Sequence, residues 1–220
     1  MWRFYYAPGA ISLAPHIVLN ELNLPYTPVM VDISGKQYKT HTATKLLEIN
    51  PCGLVPVLQT DAFTLTESVA ISLYLADLPT QSVLLPTRGT IEYARALEWL
   101  CWLATDAHRS IVAFCKPQHL TNSPESADEL RIFAIKQFYL LAEHIEENIF
   151  KGLKNGQLNK MKLVNIFLLV YFRWFHDFGI NMSRYPAWCK ITTETLTRTA
   201  VKKTLQIEGL NFLYDKSIVQ

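Results

Sequence analysis

The spacing of apolar residues changes along the chain and divides it in two. Over residues 1–78, short apolar runs alternate with helix-spaced ones. "WRFYY" (2–6) reads as an aromatic strand. In "SLAPHIVLNELNL" (12–24), Leu13 and Ile17, then Val18 and Leu22, stand four apart, which predicts a helix. Pro15 is tolerated there because first-turn amides lack an intrahelical partner. "YTPVMVDI" (26–33) reads as a second strand, "KTHTATKLLEIN" (39–50) as a weak helix ended by Pro51, and "LVPVLQT" (54–60) with "AFTL" (62–65) as a hairpin. "ESVAISLYLADL" (67–78) puts Val69, Leu73 and Ala76 on one helical face. The predicted order is β-α-β-α-β-β-α, an α/β layer. Pro56 lies inside a strand-like run, where it removes a ladder bond, so it belongs at an edge, a bulge or a cis turn.

The stretch "PTQSVLLPTRGT" (79–90) reads as a linker, and everything after it as helix. One long helix is expected over 91–114 and another over 123–150, with Ser123 as its N-cap and Pro124 at its first position. A polar loop (151–162) precedes "LVNIFLLVYFRWF" (163–175), which is apolar all round and predicts a buried central helix. Residues 185–210 give one or two more helices.

Half of the 220 residues are hydrophobic, enough for a sizeable core, and the net charge is only +2. With no run of Lys and Arg among aromatics, no nucleic-acid binding is expected. The longest apolar run, 163–172, is interrupted by Asn165 and falls short of the ~20 residues a membrane span needs, so no membrane association is expected. The aromatic N-terminus, broken at Pro8-Gly9, does not read as a secretory signal. The four cysteines (Cys52, Cys101, Cys115, Cys189) form no C-x-x-C pair and have no zinc-finger spacing to histidine. They read as free thiols in a cytoplasmic protein without a metal.

"YYAPGAISLAPHI" (5–17) turns a strand sharply into a helix, a place that can present a hydroxyl, bare amides or nothing. Together with "NPCGLVPVL" (50–58), "LTESVAISLYLAD" (65–77), "EWLCWLATDAHRS" (98–110) and "RTAVKKTLQIEGL" (198–210), in that order, it makes the chain resemble the cytosolic glutathione S-transferases, most of all the bacterial beta-class-like members. The resemblance runs nearly end to end. It implies a thioredoxin-like glutathione-binding domain (1–78), the linker (79–90) and an all-helical domain (91–220) on the second-substrate side. It also implies a homodimer with a detoxifying transferase activity, in which the thiolate of glutathione, a co-substrate, attacks a small electrophilic, apolar molecule.

The same resemblance assigns site residues. Val55, before a cis Pro56, would pair its backbone with the cysteinyl unit of glutathione. Ser68 would hold the γ-glutamyl carboxylate at a helix start, and Glu67 the ammonium. Lys36 would pair with the glycyl carboxylate. His108 would face the active site, and Cys101, Thr105 and His108 stand at i, i+4, i+7 on one helix face. By weaker analogy, Asp106 would reach the neighbouring subunit's site. Beta-class members carry a cysteine where Ile11 stands. Isoleucine excludes thiol–disulfide exchange at that position, although Ile11 can still line the pocket.

Activation of glutathione then falls to Ser12, to Tyr5 or Tyr6, or to the backbone. Lowering a thiol pKa from ~8.5 by about two units needs roughly 2.7 kcal/mol. A helix N-terminus gives about 0.3–1 kcal/mol and a hydrogen bond to a charged group about 1.5–3, so the two together suffice. A Ser12 hydroxyl capping the Ala14 N–H would keep its own proton free for sulfur. Strand alternation allows at most one of Tyr5 and Tyr6 to face the site. The buried helix departs from the family: Lys162-x-x-Asn165 stands where a Ser/Thr-x-x-Asp capping box is usual, so either Asn159 caps a longer helix or that start is weaker. The alternative to an enzyme is a non-catalytic protein of the same fold acting through a protein partner. Glu67-Ser68 and Val55-Pro56 argue against it, because such a scaffold has no need of them.

Overall fold

The computed structural model describes residues 1–33, 39–40, 45–79, 83–154, 156 and 158–210. The elements in chain order are β1 (Trp2–Tyr6), α1 (Leu13–Glu21), β2 (Tyr26–Asp32), β3 (Lys39–Thr40), α2 (Leu46–Ile49), β4 (Val57–Gln59), β5 (Thr64–Thr66), α3 (Ser68–Ala76), α4 (Ile91–Trp102), α5 (His108–Cys115), α6 (Pro124–Lys154), α7 (Lys162–Asp177), α8 (Pro186–Leu196) and α9 (Thr199–Ile207). The helix expected over 39–50 contracts to the single turn α2, and Lys39–Thr40 pairs instead with β2. Asn50 breaks helical geometry just before Pro51, as residues before proline do.

The described residues form two compact units, 1–84 with 193–210, and 85–192. The helical domain expected from the sequence runs over the whole of 91–220. The structure corrects this, because α9 packs on α1 and belongs to the first unit. The cause is polar as well as apolar. Asn20 Nδ2 donates to Thr204 Oγ1 at 3.0 Å, and Val201 and Leu205 are buried beside it.

In the first unit the sheet order is β3-β2-β1-β4-β5, with β1 and β2 parallel and the other pairs antiparallel. Strand alternation sorts the aromatic run. Tyr5 joins Val29, Val31, Leu46 and Val57 on one face, while Phe4 and Tyr6 stack beside His16 on the other. The Val55-Pro56 bond is cis, immediately before β4, so the proline lies outside the ladder.

In the second unit α7 is buried nearly all round, from Leu163 to Phe175, as its uniform apolarity predicts. It begins without a side-chain cap. Asn159 does not cap it, and Asn165 Nδ2 instead donates to the Leu158 carbonyl at 3.2 Å. Ser123 caps α6 through the Ser126 N–H. The single helix expected over 91–114 is broken by a π-helical stretch, Leu103–Ala107, between α4 and α5. Among the described residues no helix is long and apolar enough to cross a membrane.

Candidate functional site

Strand directions bring three segments to one end of the sheet. Tyr5 pairs with Val57, and Val57 with Thr66. β1 ends there, antiparallel β4 begins there, and β5 ends there. The turn after β1, the Val55-Pro56 step before β4 and the Glu67-Ser68 step after β5 therefore share one edge. Ile11, Ser12, Val55, Pro56, Glu67 and Ser68 are gathered by topology from a stretch of 58 residues. Lys36 lies outside the described residues.

The turn Ala7–Ser12 holds itself in place. Ala10 N–H donates to the Ala7 carbonyl, and Leu13 N–H to the Ala10 carbonyl, both at 3.0 Å. Gly9 adopts φ +69°, open to glycine at no steric cost, and its N–H donates to Glu208 Oε2 at 2.8 Å. Ser12 is fully buried, and its hydroxyl donates to the Ala7 carbonyl (3.1 Å) and accepts from the Ala7 N–H (3.2 Å). It makes no cap bond to α1. The expectation that Ser12 caps Ala14 is thus corrected: its hydroxyl pairs with the Ala7 backbone instead. Ala7 stands one residue past the β1–β2 ladder, and Ser12 supplies the partners the ladder no longer does.

The tyrosines are also committed. Tyr5 donates to Gln59 Oε1 at 2.9 Å from within the apolar cluster. The Tyr6 ring packs on His16, 4.7 Å between centroids, and burial, then the charge of Glu208, pushes its phenol above the usual range. What the turn does present is backbone. Among the described residues the Ile11 and Ser12 amides have no acceptor, and Ile11 is partly exposed. They point forward at the start of α1, where the helix dipole favours negative charge.

At the same sheet end, the Val55 N–H and C=O have no backbone partner among the described residues. Glu67 is exposed and has φ +69°, uncommon for a residue with a side chain. Strain of this kind clusters at functional sites, because the surroundings must hold it. Ser68 opens α3 and is buried, and its carbonyl accepts from the Ser72 hydroxyl at 2.7 Å. Among the described residues the Ser68, Val69 and Ala70 amides at the start of α3 have no acceptor.

A chain of polar groups missed by the sequence reading supports the turn from behind. Asn20 Nδ2 donates to Tyr26 Oη (2.9 Å), Tyr26 Oη meets His16 Nε2 (2.8 Å), and His16 Nδ1 meets Glu208 Oε1 (2.6 Å). Both side chains of that last pair are fully buried. Donors and acceptors match along the whole chain: the Tyr26 proton goes to Nε2, and the Nδ1 proton to the carboxylate. The signal in the sequence was a histidine, His16, inside an otherwise apolar helical pattern.

His108 belongs to the second unit, at the start of α5. The π-helical stretch upstream breaks the 3.6-residue register on which the shared face of Cys101, Thr105 and His108 rested. Cys101 and Thr105 are exposed, whereas His108 is partly buried. Thr105 donates back to the Cys101 carbonyl at 2.9 Å, and Asp106 is paired with Arg109 at 3.2 Å. Burial lowers the His108 pKa below the ordinary imidazole value. No group of three or more His, Cys, Asp or Glu among the described residues is placed to hold a metal.

Residues 10–78 match the family described as glutathione S-transferase, N-terminal domain. The chain is 29% identical to Glutathione S-transferase GstA of Escherichia coli O157:H7, covering 94% of this chain and 99% of that protein. Among solved structures it is similar to a glutathione transferase of Methylococcus capsulatus str. Bath (32% identity, TM-score 0.80, 95% of this chain and 99% of that one). It is also similar to a sphingomonad glutathione S-transferase complexed with glutathione (30% identity, TM-score 0.78, 94% and 99%).

Proposed function

Since this chain belongs to the glutathione S-transferase family and is a transferase of that kind, we propose that glutathione lies across the sheet end formed by the β1 turn, Val55-Pro56 and Glu67-Ser68. The observation that carries this reading is the shared edge set by the Tyr5–Val57–Thr66 register. From β1 to β5 is two strand spacings, about 10 Å, and an extended tripeptide is also about 10 Å long. The Val55 N–H and C=O take the central peptide as a strand would. The α3 amides and Ser68 take the γ-glutamyl carboxylate, and Glu67 takes the ammonium. Lys36 takes the glycyl carboxylate.

The thiol then lies at the opening of α1. Ser12 has no proton to give, so the thiolate is held by the Ile11 amide and the helix dipole. An amide bond to an anion gives about 1.5–3 kcal/mol and the dipole about 0.3–1, which together reach the roughly 2.7 kcal/mol that two pKa units require. The Ile11 side chain offers sulfur no hydrogen bond and no disulfide. The thiolate attacks a small apolar electrophile, and His108 is read as a hydrogen-bonding catalytic residue.

The reading includes a homodimer. On α6, Ile132, Phe133 and Leu140 leave 58%, 57% and 58% of their surface exposed, an apolar stripe for a second copy to cover. The four free cysteines suit the reducing cytoplasm.

Calorimetry tests the glutathione site. The wild type is expected to bind glutathione one to one, and Glu67→Ala to bind at least about tenfold more weakly, as loss of a charged hydrogen bond implies. No heat from the wild type at millimolar glutathione would overturn the reading.

A further inference from the structure

The buried helix α7 carries one hydroxyl that the account so far leaves idle. Tyr171 is completely buried among apolar neighbours. A buried hydroxyl needs a partner, and this one reaches the carbonyl of Leu103 at 2.5 Å. Leu103 opens the π-helical stretch, and its carbonyl also receives the amide of His108, five residues on. The same phenol oxygen lies 3.5 Å from Nδ1 of the His108 ring. Tyr171 therefore touches both the backbone that places His108 and the imidazole itself. The Trp174 ring, 5.7 Å from the imidazole between centroids, flanks it.

Counting protons settles the direction of these bonds. A tyrosine has one hydroxyl proton. The Leu103 carbonyl can only accept, and it is an ångström nearer than the imidazole, so the proton goes there. Towards Nδ1 the phenol has only a lone pair to offer. Nδ1 must then carry the imidazole proton, and Nε2 carries the lone pair. Burial keeps the phenol protonated and the imidazole neutral, so neither partner leaves this arrangement near neutral pH. Nε2 has no partner among the described residues and is not among their buried, unpartnered side-chain atoms.

We propose that Tyr171 is a positioning residue that locks His108 in its Nδ1–H form, so that the imidazole acts only as an acceptor, through Nε2, for a proton-bearing group of a bound substrate. The inference rests on the reading of His108 as a site residue only for its consequence in catalysis; the tautomer itself does not depend on it. The π-helical turn has a purpose in this arrangement. The Leu103 carbonyl accepts from both the His108 amide and the Tyr171 hydroxyl, so it ties α7 to the backbone that carries His108.

The test uses the full-length protein labelled with [15N]histidine. Long-range 1H–15N spectra at neutral pH distinguish a protonated ring nitrogen from a bare one, and His108→Gln assigns the signals. The wild type is expected to show Nδ1 protonated and Nε2 bare. In Tyr171→Phe, which removes only the hydroxyl, both nitrogens are expected to shift towards the averaged values of a free imidazole. In the same variant kcat is expected to fall about tenfold while the KM for glutathione stays within about twofold, the pattern of a group that acts in the transition state. A wild-type spectrum with Nε2 protonated overturns the proposal, and so does an unchanged tautomer in Tyr171→Phe. The wild-type spectrum decides the tautomer even if the variant does not fold. Failure to bind glutathione in calorimetry would overturn the glutathione site while leaving the spectral result intact.

Discussion

Glu208, at the end of α9, meets the ring of His16 in α1 with Oε1 2.6 Å from Nδ1, and both side chains are sealed from solvent. Its other oxygen holds the Gly9 amide at 2.8 Å. One carboxylate thus ties the last described helix to the turn that presents the Ile11 amide. Removing it in Glu208→Ala leaves the His16 Nδ1–H without its acceptor in an apolar interior. The expected loss is roughly 3–5 kcal/mol, the range for breaking a buried polar pair. Urea unfolding checks this, and a loss below about 1 kcal/mol would show that the pair is not buried in solution.

Ser12→Ala is expected to act on stability rather than on chemistry. The buried hydroxyl serves the Ala7 N–H and C=O, so its loss costs about 1–3 kcal/mol for groups left without partners. Thermal unfolding should move down by several degrees. The kcat of the folded variant should stay within a few-fold of the wild type.

Glu67 supplies a case in which binding and stability part company. Its φ of +69° costs a residue with a side chain about 1–3 kcal/mol and glycine almost nothing. Glu67→Gly is expected to keep or raise the melting temperature while glutathione affinity falls at least about tenfold. Paired calorimetry and thermal melts check it. A variant that binds normally would remove Glu67 from the site.

The depressed pKa of His108 gives a signed pH dependence. Burial makes the folded state bind this proton less readily than the unfolded chain. Above the unfolded imidazole pKa of about 6.5 both states are neutral and nothing is lost. As pH falls through that value towards the lower folded pKa, the unfolded state takes up the proton first and stability declines. His108→Gln should show a shallower decline between pH 7 and pH 5. Equal slopes in the two proteins would place His108 in solvent.

Much of the fold was legible because periodicity reports burial directly. The alternation in Trp2–Tyr6 set the sheet faces, and the uniform apolarity of 163–175 marked the central helix. The β1 turn, Val55-Pro56 and Glu67-Ser68 were legible as motifs, and the strand register explains why they meet. Three features were not readable. The commitment of Ser12 depends on where the Ala7 backbone ends up, which local spacing does not encode. The π-helical turn at Leu103–Ala107 leaves apolar spacing almost unchanged over so few residues. The return of α9 to the first unit depends on Glu208 and Thr204 finding partners some 190 residues away in sequence.

The central claim is that backbone at the start of α1, and no side chain, holds the thiolate of glutathione. The most direct measurement is the pH titration of thiolate absorbance in the glutathione complexes of the wild type and Ser12→Ala. The account predicts the same depressed thiol pKa in both, about two units below that of free glutathione, as the amide and dipole together allow. A thiol that titrates in Ser12→Ala as it does free in solution would contradict it and return the proton-donating role to Ser12.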